Sequence, residues 1–394
     1  MIDPSLFYKF LTERGTNFFT GVPDSLLKSF CACASDMGNH ITAVNEGAAV
    51  ALAAGYHLAT GKIPLVYMQN SGIGNAVNPL LSLADGDVYR IPMILLAGWR
   101  GEPGVKDEPQ HLKQGKATCA LFEAMGIPYK ILSDSIDGAR VQIDECFDHI
   151  KKDNTPVALI ARKDTFAPYA SKASDARRES EMSREEAIGH IVSSSAPSEI
   201  FVSTTGMASR ELYELRERER TGHERDFLTV GSMGHALSLA LAVALQKPAL
   251  RVNCIDGDGA ALMHLGGMAA VGALSPANLR HIVLNNGAHD SVGGQPTVAR
   301  QIDLAGVARS CGYAGVYSVK TAEELRRVLS LTAESCGDVR DGGAIGADAG
   351  KAAGAVFIEV FVRKGNRSDL GRPKSTPIEN KEAFMRFIAD GRKV

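Results

Sequence analysis

Short apolar runs of strand length alternate with longer helical stretches along almost the whole chain, and this restricts the fold more than any other feature. Strands are expected at 17–20, 40–44, 63–69, 92–98, 127–132 and 156–161, with helices at 25–37, 47–60, 74–84 and 136–152 between them. The alternation then pauses. Residues 165–182 are polar, rich in small side chains and without an apolar period, which is the composition of a linker. Ser183 followed by Glu186 forms a capping box that restarts helix. Further strands are expected at 199–203, 227–230, 251–255, 280–284, 315–319 and 356–361, and a second capping box stands at Thr321 and Glu324. Alternation of this kind builds parallel sheets covered on both faces. The expectation is an α/β protein of two doubly wound parallel-sheet domains, residues 1–164 and 183–394, joined by the linker at 165–182.

Bulk properties exclude several classes. A chain of 394 residues exceeds one ordinary core and suits about two. A net charge of −2 gives no basic footprint for nucleic acid. Seven scattered cysteines without a C-x-x-C pair point to a reduced, cytoplasmic setting, with Cys31 and Cys33 as core residues or an incidental pair. The first residues carry neither a basic nor a long apolar segment, so no leader is expected. The longest apolar runs, 91–97 and 236–245, are too short for a bilayer, so no membrane partner is expected.

In open parallel sheets, ligands bind beyond the carboxyl ends of strands. Two such ends stand out: Asp256-Gly257-Asp258-Gly259-Ala260 and Asn285-Asn286-Gly287-Ala288. Carboxylate and amide oxygens beside glycines suit a hard divalent cation such as Mg²⁺ holding a phosphorylated ligand. Glycine lets the main chain approach phosphate oxygens, although the same residues also make ordinary turns. Glu46 opens an Ala- and Gly-rich helix, where its carboxylate either sits at the start of a buried element or simply complements the helix dipole. Asp24 or Ser25 either caps the following helix or faces a substrate. Asn70 lies in a polar loop in which Gly72 and Gly74 mimic part of a dinucleotide fingerprint; Val77 replaces the third glycine, so nicotinamide binding is not expected. The stretch 98–111 reads as a long loop with the sole tryptophan, Trp99, and with Arg100, Lys106 and His111, joined by Lys113, as cations for an anionic substrate or as a solvated face. Residues 231–234 form a tight strand-to-helix turn, and His289 is either structural or a proton donor. The basic stretch 362–374 is a solvated face or an anion site, and the Gly-, Ala- and Asp-rich stretch 337–354 is a solvent-facing loop without an assigned role.

The Gly-Asp-Gly and Asn-Asn pair resembles the metal-binding motif of thiamine-diphosphate-dependent decarboxylases. The resemblance implies thiamine diphosphate and Mg²⁺ as cofactors, with Asp258, Asn286 and the Ala288 carbonyl on the metal and Gly257, Gly259 and Ala260 around the cofactor. It implies that Glu46 shares a proton with the aminopyrimidine ring, that Gly231 offers a carbonyl to the amino group of that ring, and that Met233 is the apolar wedge between the two cofactor rings. His289 is then a catalytic candidate, and Asp24, Ser25, Asn70, Arg100, Lys106 and His111 are substrate candidates. Many family members carry a middle domain between the two sheets. This chain has only the short linker, and so is similar to the branch acting on phosphonopyruvate or sulfopyruvate. The matching stretches are 21–25, 69–75, 231–235, 285–290 and 369–373. The implied reaction is decarboxylation of 3-phosphonopyruvate to phosphonoacetaldehyde and CO₂. Sulfopyruvate, or decarboxylation or carboligation of another anionic 2-keto acid, is the alternative. The family also implies a homodimer or higher homo-oligomer with active sites at the subunit interface.

Overall fold

In a computed structural model, which describes residues 1–171, 182–333 and 354–390, each apolar run of strand length becomes a strand of one of two parallel sheets. The chain divides into one unit of Met1–Ala176 with Ser291–Pro296 and another of Arg177–Asp290 with Thr297–Val394. Most of the expected linker (172–181) and of the glycine-rich loop (337–353) lies outside the described residues.

In the first unit the elements run α1 (Pro4–Glu13), β1 (Phe19–Gly21), α2 (Lys28–Met37), β2 (His40–Thr42), α3 (Glu46–Thr60) and β3 (Leu65–Gln69). Next come α4 (Ile73–Pro79), β4 (Ile94–Gly98), α5 (Pro109–Ala124), β5 (Tyr129–Ile131), α6 (Ile136–Asp153) and β6 (Val157–Ala161). The strand order is β2-β1-β3-β4-β6-β5, all pairs parallel. Successive strand residues face opposite sides of a sheet. Accordingly Leu65 and Tyr67 enter one core with Ile94 and Leu96, while Val66 and Met68 enter the other with Leu95 and Ala97.

The second unit begins with α7 (Arg184–Ser193), capped by Ser183 and Glu186 in the expected box, then β7 (Ile200–Ser203), α8 (Met207–Glu219) and β8 (Asp226–Leu228). It continues through α9 (Ala236–Gln246), β9 (Val252–Gly257), α10 (Asp258–Met263), α11 (Gly266–Leu274) and β10 (Leu279–Asn285). Two short strands follow in the chain, β11 (Ala288–His289) and β12 (Gln295–Pro296). Then come α12 (Leu304–Cys311), β13 (Gly315–Val319), α13 (Ala322–Leu331), β14 (Val356–Phe361) and α14 (Pro377–Asp390). Its strand order is β13-β14-β10-β9-β7-β8, again parallel. No helix among the described residues is long and apolar enough to cross a membrane.

Local chemistry moved several boundaries. Helix α1 was not expected; Asp3 caps it, accepting from the Ser5 N–H, and Pro4 supplies a first residue already set for helix. The helix expected from residue 25 starts only at Lys28, because the Asp24 carboxylate takes the Leu26 N–H and holds the chain in a turn. The helix expected at 74–84 is α-helical to Pro79 and then opens into one π-turn, Leu80–Ala84. The long loop expected at 98–111 ends early: Pro109 opens α5, so His111 is a first-turn helix residue. Strand β9 continues to Gly257, which makes Asp258 the first residue of α10.

Candidate active site

In the first unit the residues that matter lie beyond the strand ends around β1 and β3, where the winding reverses direction. Asn45 caps α3 by accepting from the Ala48 N–H, and Glu46 follows as the first helical residue, 5% exposed. Its Oε2 accepts from Asn75 Nδ2 at 2.8 Å. Its other face meets Gly72, where an added Cβ would stand 2.2 Å from Glu46 Oε1. The carboxyl is therefore enclosed by a glycine and a neutral amide. Burial raises it above the ordinary carboxylate range, against a smaller opposing effect from Asn75. Asn75 was not singled out from the sequence, because only the packing of α4 on α3 makes it a partner.

Asp24 is fully buried at the end of β1. It accepts from Gln69 Nε2 at 2.7 Å and lies so close to Gly98 that a Cβ there would fall 2.1 Å from Oδ2. Three neighbouring strand ends thus converge on one carboxyl, which burial pushes upward. Asn70 spends its whole amide on structure: Nδ2 donates to the Arg100 carbonyl and to Thr118 Oγ1, each at 2.8 Å, and Oδ1 accepts from the Arg100 N–H at 3.1 Å. Arg100 forms a two-bonded pair with Asp107 and donates to Ser25 Oγ at 2.9 Å. Its charge is already matched inside its own loop. Burial pushes His111 down to about 4, so at neutral pH it carries no charge to offer an anion. Lys106 and Lys113 are exposed.

In the second unit three turns meet. Asp258 is 2% exposed, and its Oδ2 accepts from Thr297 Oγ1 at 2.5 Å. Burial pushes it up to about 6, as expected for a carboxylate lacking a countercharge. Asn285 and Asn286 divide the work of their turn. Asn285 donates to Glu359 and accepts from the Gly287 N–H, pinning a backbone whose Gly287 has φ 68°. Asn286 accepts from the Ala288 N–H at 2.9 Å and donates to Asp290 Oδ2 at 2.6 Å. The turn at 231–234 lies on α10, since a Cβ at Gly234 would stand 3.0 Å from the Ala260 carbonyl. The bare Cα of Gly259 faces both His289 and Met233: a Cβ there would meet the imidazole at 2.8 Å and the Met233 methyl at 3.4 Å. His289 is buried and pushed down to about 4, hence neutral at pH 7. Around this spot Gly231 takes a Thr205 hydroxyl on its N–H, while Gly257 leaves open space.

Carboxylate, amide and main-chain oxygens brought together in this way form a donor set for a hard cation. The under-compensated Asp258 carboxylate is what such a cation would stabilise. Thr297 was not foreseen from sequence; a threonine after a Gly-Gly-Gln-Pro stretch carries no local periodic signal.

Known proteins agree with this reading of the two sheets. Residues 5–119 match the thiamine pyrophosphate enzyme N-terminal TPP binding domain, and residues 204–337 match the C-terminal TPP binding domain of the same enzymes. The chain belongs to the thiamine pyrophosphate (thiamine diphosphate) enzymes, and within them to the keto-acid decarboxylases, which are carboxy-lyases. It is similar to the phosphonopyruvate decarboxylase of Streptomyces hygroscopicus, with 35% identity over 99% of this chain and 95% of that protein. The phosphonopyruvate decarboxylase of Streptomyces viridochromogenes is 33% identical over 96% of this chain and 93% of its own length. A sulfopyruvate decarboxylase of Methanosarcina acetivorans is 28% identical over 79% of this chain and 83% of its own length.

Proposed function

We propose that the chain decarboxylates 3-phosphonopyruvate to phosphonoacetaldehyde and CO₂, using thiamine diphosphate held through Mg²⁺. The observation that carries this choice is the near end-to-end likeness to two phosphonopyruvate decarboxylases, against a weaker and shorter likeness to a sulfopyruvate decarboxylase.

Asp258, Asn286 and the Ala288 carbonyl are the proposed Mg²⁺ donors, with residues 257–260 along the diphosphate. When bound, thiamine diphosphate supplies a nucleophilic ring carbon and an electron sink for the departing carboxylate. Glu46 sits in an enclosure of a glycine and a neutral amide where burial raises its proton affinity, so a proton it shares with the pyrimidine ring tunes the basicity of the ring's amino group. Met233 and the Gly231 carbonyl set the position of that ring, and held proximity of this kind lowers an activation barrier directly. His289, buried beside Gly259, is the proposed catalytic group of the second unit, and Asp24, buried in the first, is a proposed substrate contact. The phosphonate needs cations; Arg100 stays a candidate through its edge toward Ser25, and Lys106 through its exposure.

We further propose a homodimer or larger homo-oligomer in which the Glu46 group of one subunit works with the Asp258 group of another. Apolar side chains exposed on α3 (Leu52 and Leu58) and on α11 (Leu274) support it, since water-facing leucines on glycine- and alanine-rich helices suit a packed interface. The unpaired thiols of the described cysteines fit the proposed cytoplasmic setting.

CO₂ release from phosphonopyruvate, sulfopyruvate and pyruvate, each with and without thiamine diphosphate and Mg²⁺, tests the proposal. Cofactor-dependent release fastest from phosphonopyruvate is expected. Faster turnover of sulfopyruvate reassigns the substrate, and an active monomer by light scattering overturns the assembly.

A further inference from the structure

We propose that Asp290, held by Arg184, is the positioning residue that, with the Ala288 N–H at the other end, fixes which end of the Asn286 amide faces the cation. This rests on the proposed role of Asn286 as a Mg²⁺ ligand.

An asparagine amide has two nearly isosteric ends, an oxygen that binds a cation and an NH₂ that repels one, and its terminal torsion is soft. Something must choose between them. Asp290 Oδ2 lies 2.6 Å from Asn286 Nδ2, so a flipped amide would bring two oxygens together. The N–H end is thereby turned to Asp290. The amide oxygen takes the Ala288 N–H with one lone pair and keeps the other for a metal.

Asp290 is itself immobilised from two further sides. Arg184 Nη1 donates to the same Oδ2 at 3.0 Å, and so does the Gly365 N–H. Arg184 is buried at the start of α7, and its other edge makes a two-bonded pair with Glu211 of α8, at 2.7 and 2.9 Å. The chain Glu211–Arg184–Asp290–Asn286 therefore joins two helices and the segment after β14 to one amide. A carboxylate behind a ligand orients it and raises the electron density at its donor atom.

Mn²⁺ affinity of the full-length protein in the presence of thiamine diphosphate, read by paramagnetic resonance, tests this. Outer partners of metal ligands are worth about 10- to 100-fold in metal affinity. Asp290→Ala is expected to raise the Mn²⁺ dissociation constant by that factor, with kcat largely restored at saturating metal, a split that general misfolding does not produce. Asp290→Asn, which preserves the packing, shifts it the same way because a neutral oxygen accepts more weakly and leaves Arg184 without its counter-charge. Glu185→Gln, which touches the partly exposed Arg367 instead, leaves the constant unchanged. Unchanged Mn²⁺ affinity in both Asp290 variants overturns the positioning role. If Asp258→Asn also leaves Mn²⁺ affinity unchanged, it is the assignment of the metal site that fails.

Discussion

Read from its outer strand inward, the first sheet runs β2-β1-β3-β4-β6-β5, and the second, read the same way, runs β8-β7-β9-β10-β14-β13. The winding is identical, yet equivalent strand ends carry different side chains. After the second strand stands Glu46 in one unit and Met233 in the other. After the third stand Asn70 and Asp258, and after the fourth Arg100 and Asn286. Each unit buries a carboxyl with a raised pKa, but the company differs. Glu46 sees a glycine and one amide; Asp258 sees a hydroxyl and lies among oxygen donors. The first arrangement suits proton exchange and the second suits a cation. One scaffold thus presents strand ends, and the side chains set there decide the chemistry.

The sharpest way to break this division is Glu46→Gln. Loss of a general acid–base group costs about 10²- to 10⁴-fold; CO₂ release should fall by that much in steady-state assays, and an undiminished kcat contradicts the assigned role. Gly72→Ala acts on the same carboxyl indirectly. Its Cβ would stand 2.2 Å from Glu46 Oε1, and displacement by about an ångström can cost up to ~10²-fold in rate. A fall in kcat is expected together with the loss of about 1–3 kcal/mol of stability that overpacking brings, and an unchanged kcat contradicts the role of the enclosure.

On the other unit, Thr297→Val removes the hydroxyl that donates to Asp258. A buried acceptor left unpaired costs about 1–3 kcal/mol, so the metal-free protein should melt lower, and Mg²⁺ with thiamine diphosphate should recover part of the loss.

The smallest effect is in pH. Burial pushes His40, His111 and His289 each down to about 4. Between that value and about 6.5 the unfolded chain binds more protons than the folded one, so these groups make stability fall as pH drops through that window. Asp258, pushed up to about 6, has the opposite sign in metal-free protein: its contribution is present at low pH and is lost as pH rises through about 6. Asp24 and Glu46, also raised by burial, act with Asp258 against the histidines, so one histidine is isolated by substitution. In urea melts, His111→Gln should gain stability relative to the unaltered protein on going from pH 7 to pH 5, and an unchanged difference contradicts the shift.

Much of this was legible from residues alone. The parallel sheets follow from apolar runs whose alternate residues must face opposite cores, and the loops of interest follow from where those runs end. The capping boxes at Ser183 and Thr321 marked two helix starts because their chemistry is local. What escaped notice was non-local or lacked a period. Helix α5 carries a glycine and many polar residues, so its start at Pro109 looked like loop. Asn75, Thr297 and Arg184 lie 29, 39 and 106 residues from the partners they hold, and no spacing rule connects them. The same holds for the pairing of Arg100 with Asp107 and for the burial that pushes His111 down to about 4, neither of which a loop sequence announces.

The division between the two buried carboxyls is tested most directly by calorimetric titration of thiamine diphosphate, with Mg²⁺ present, into Glu46→Gln and Asp258→Asn side by side with the unaltered protein. Glu46→Gln should take up the cofactor much as the unaltered protein does, while Asp258→Asn should bind it far more weakly. Equal uptake by both variants, or weaker uptake by Glu46→Gln, contradicts the account.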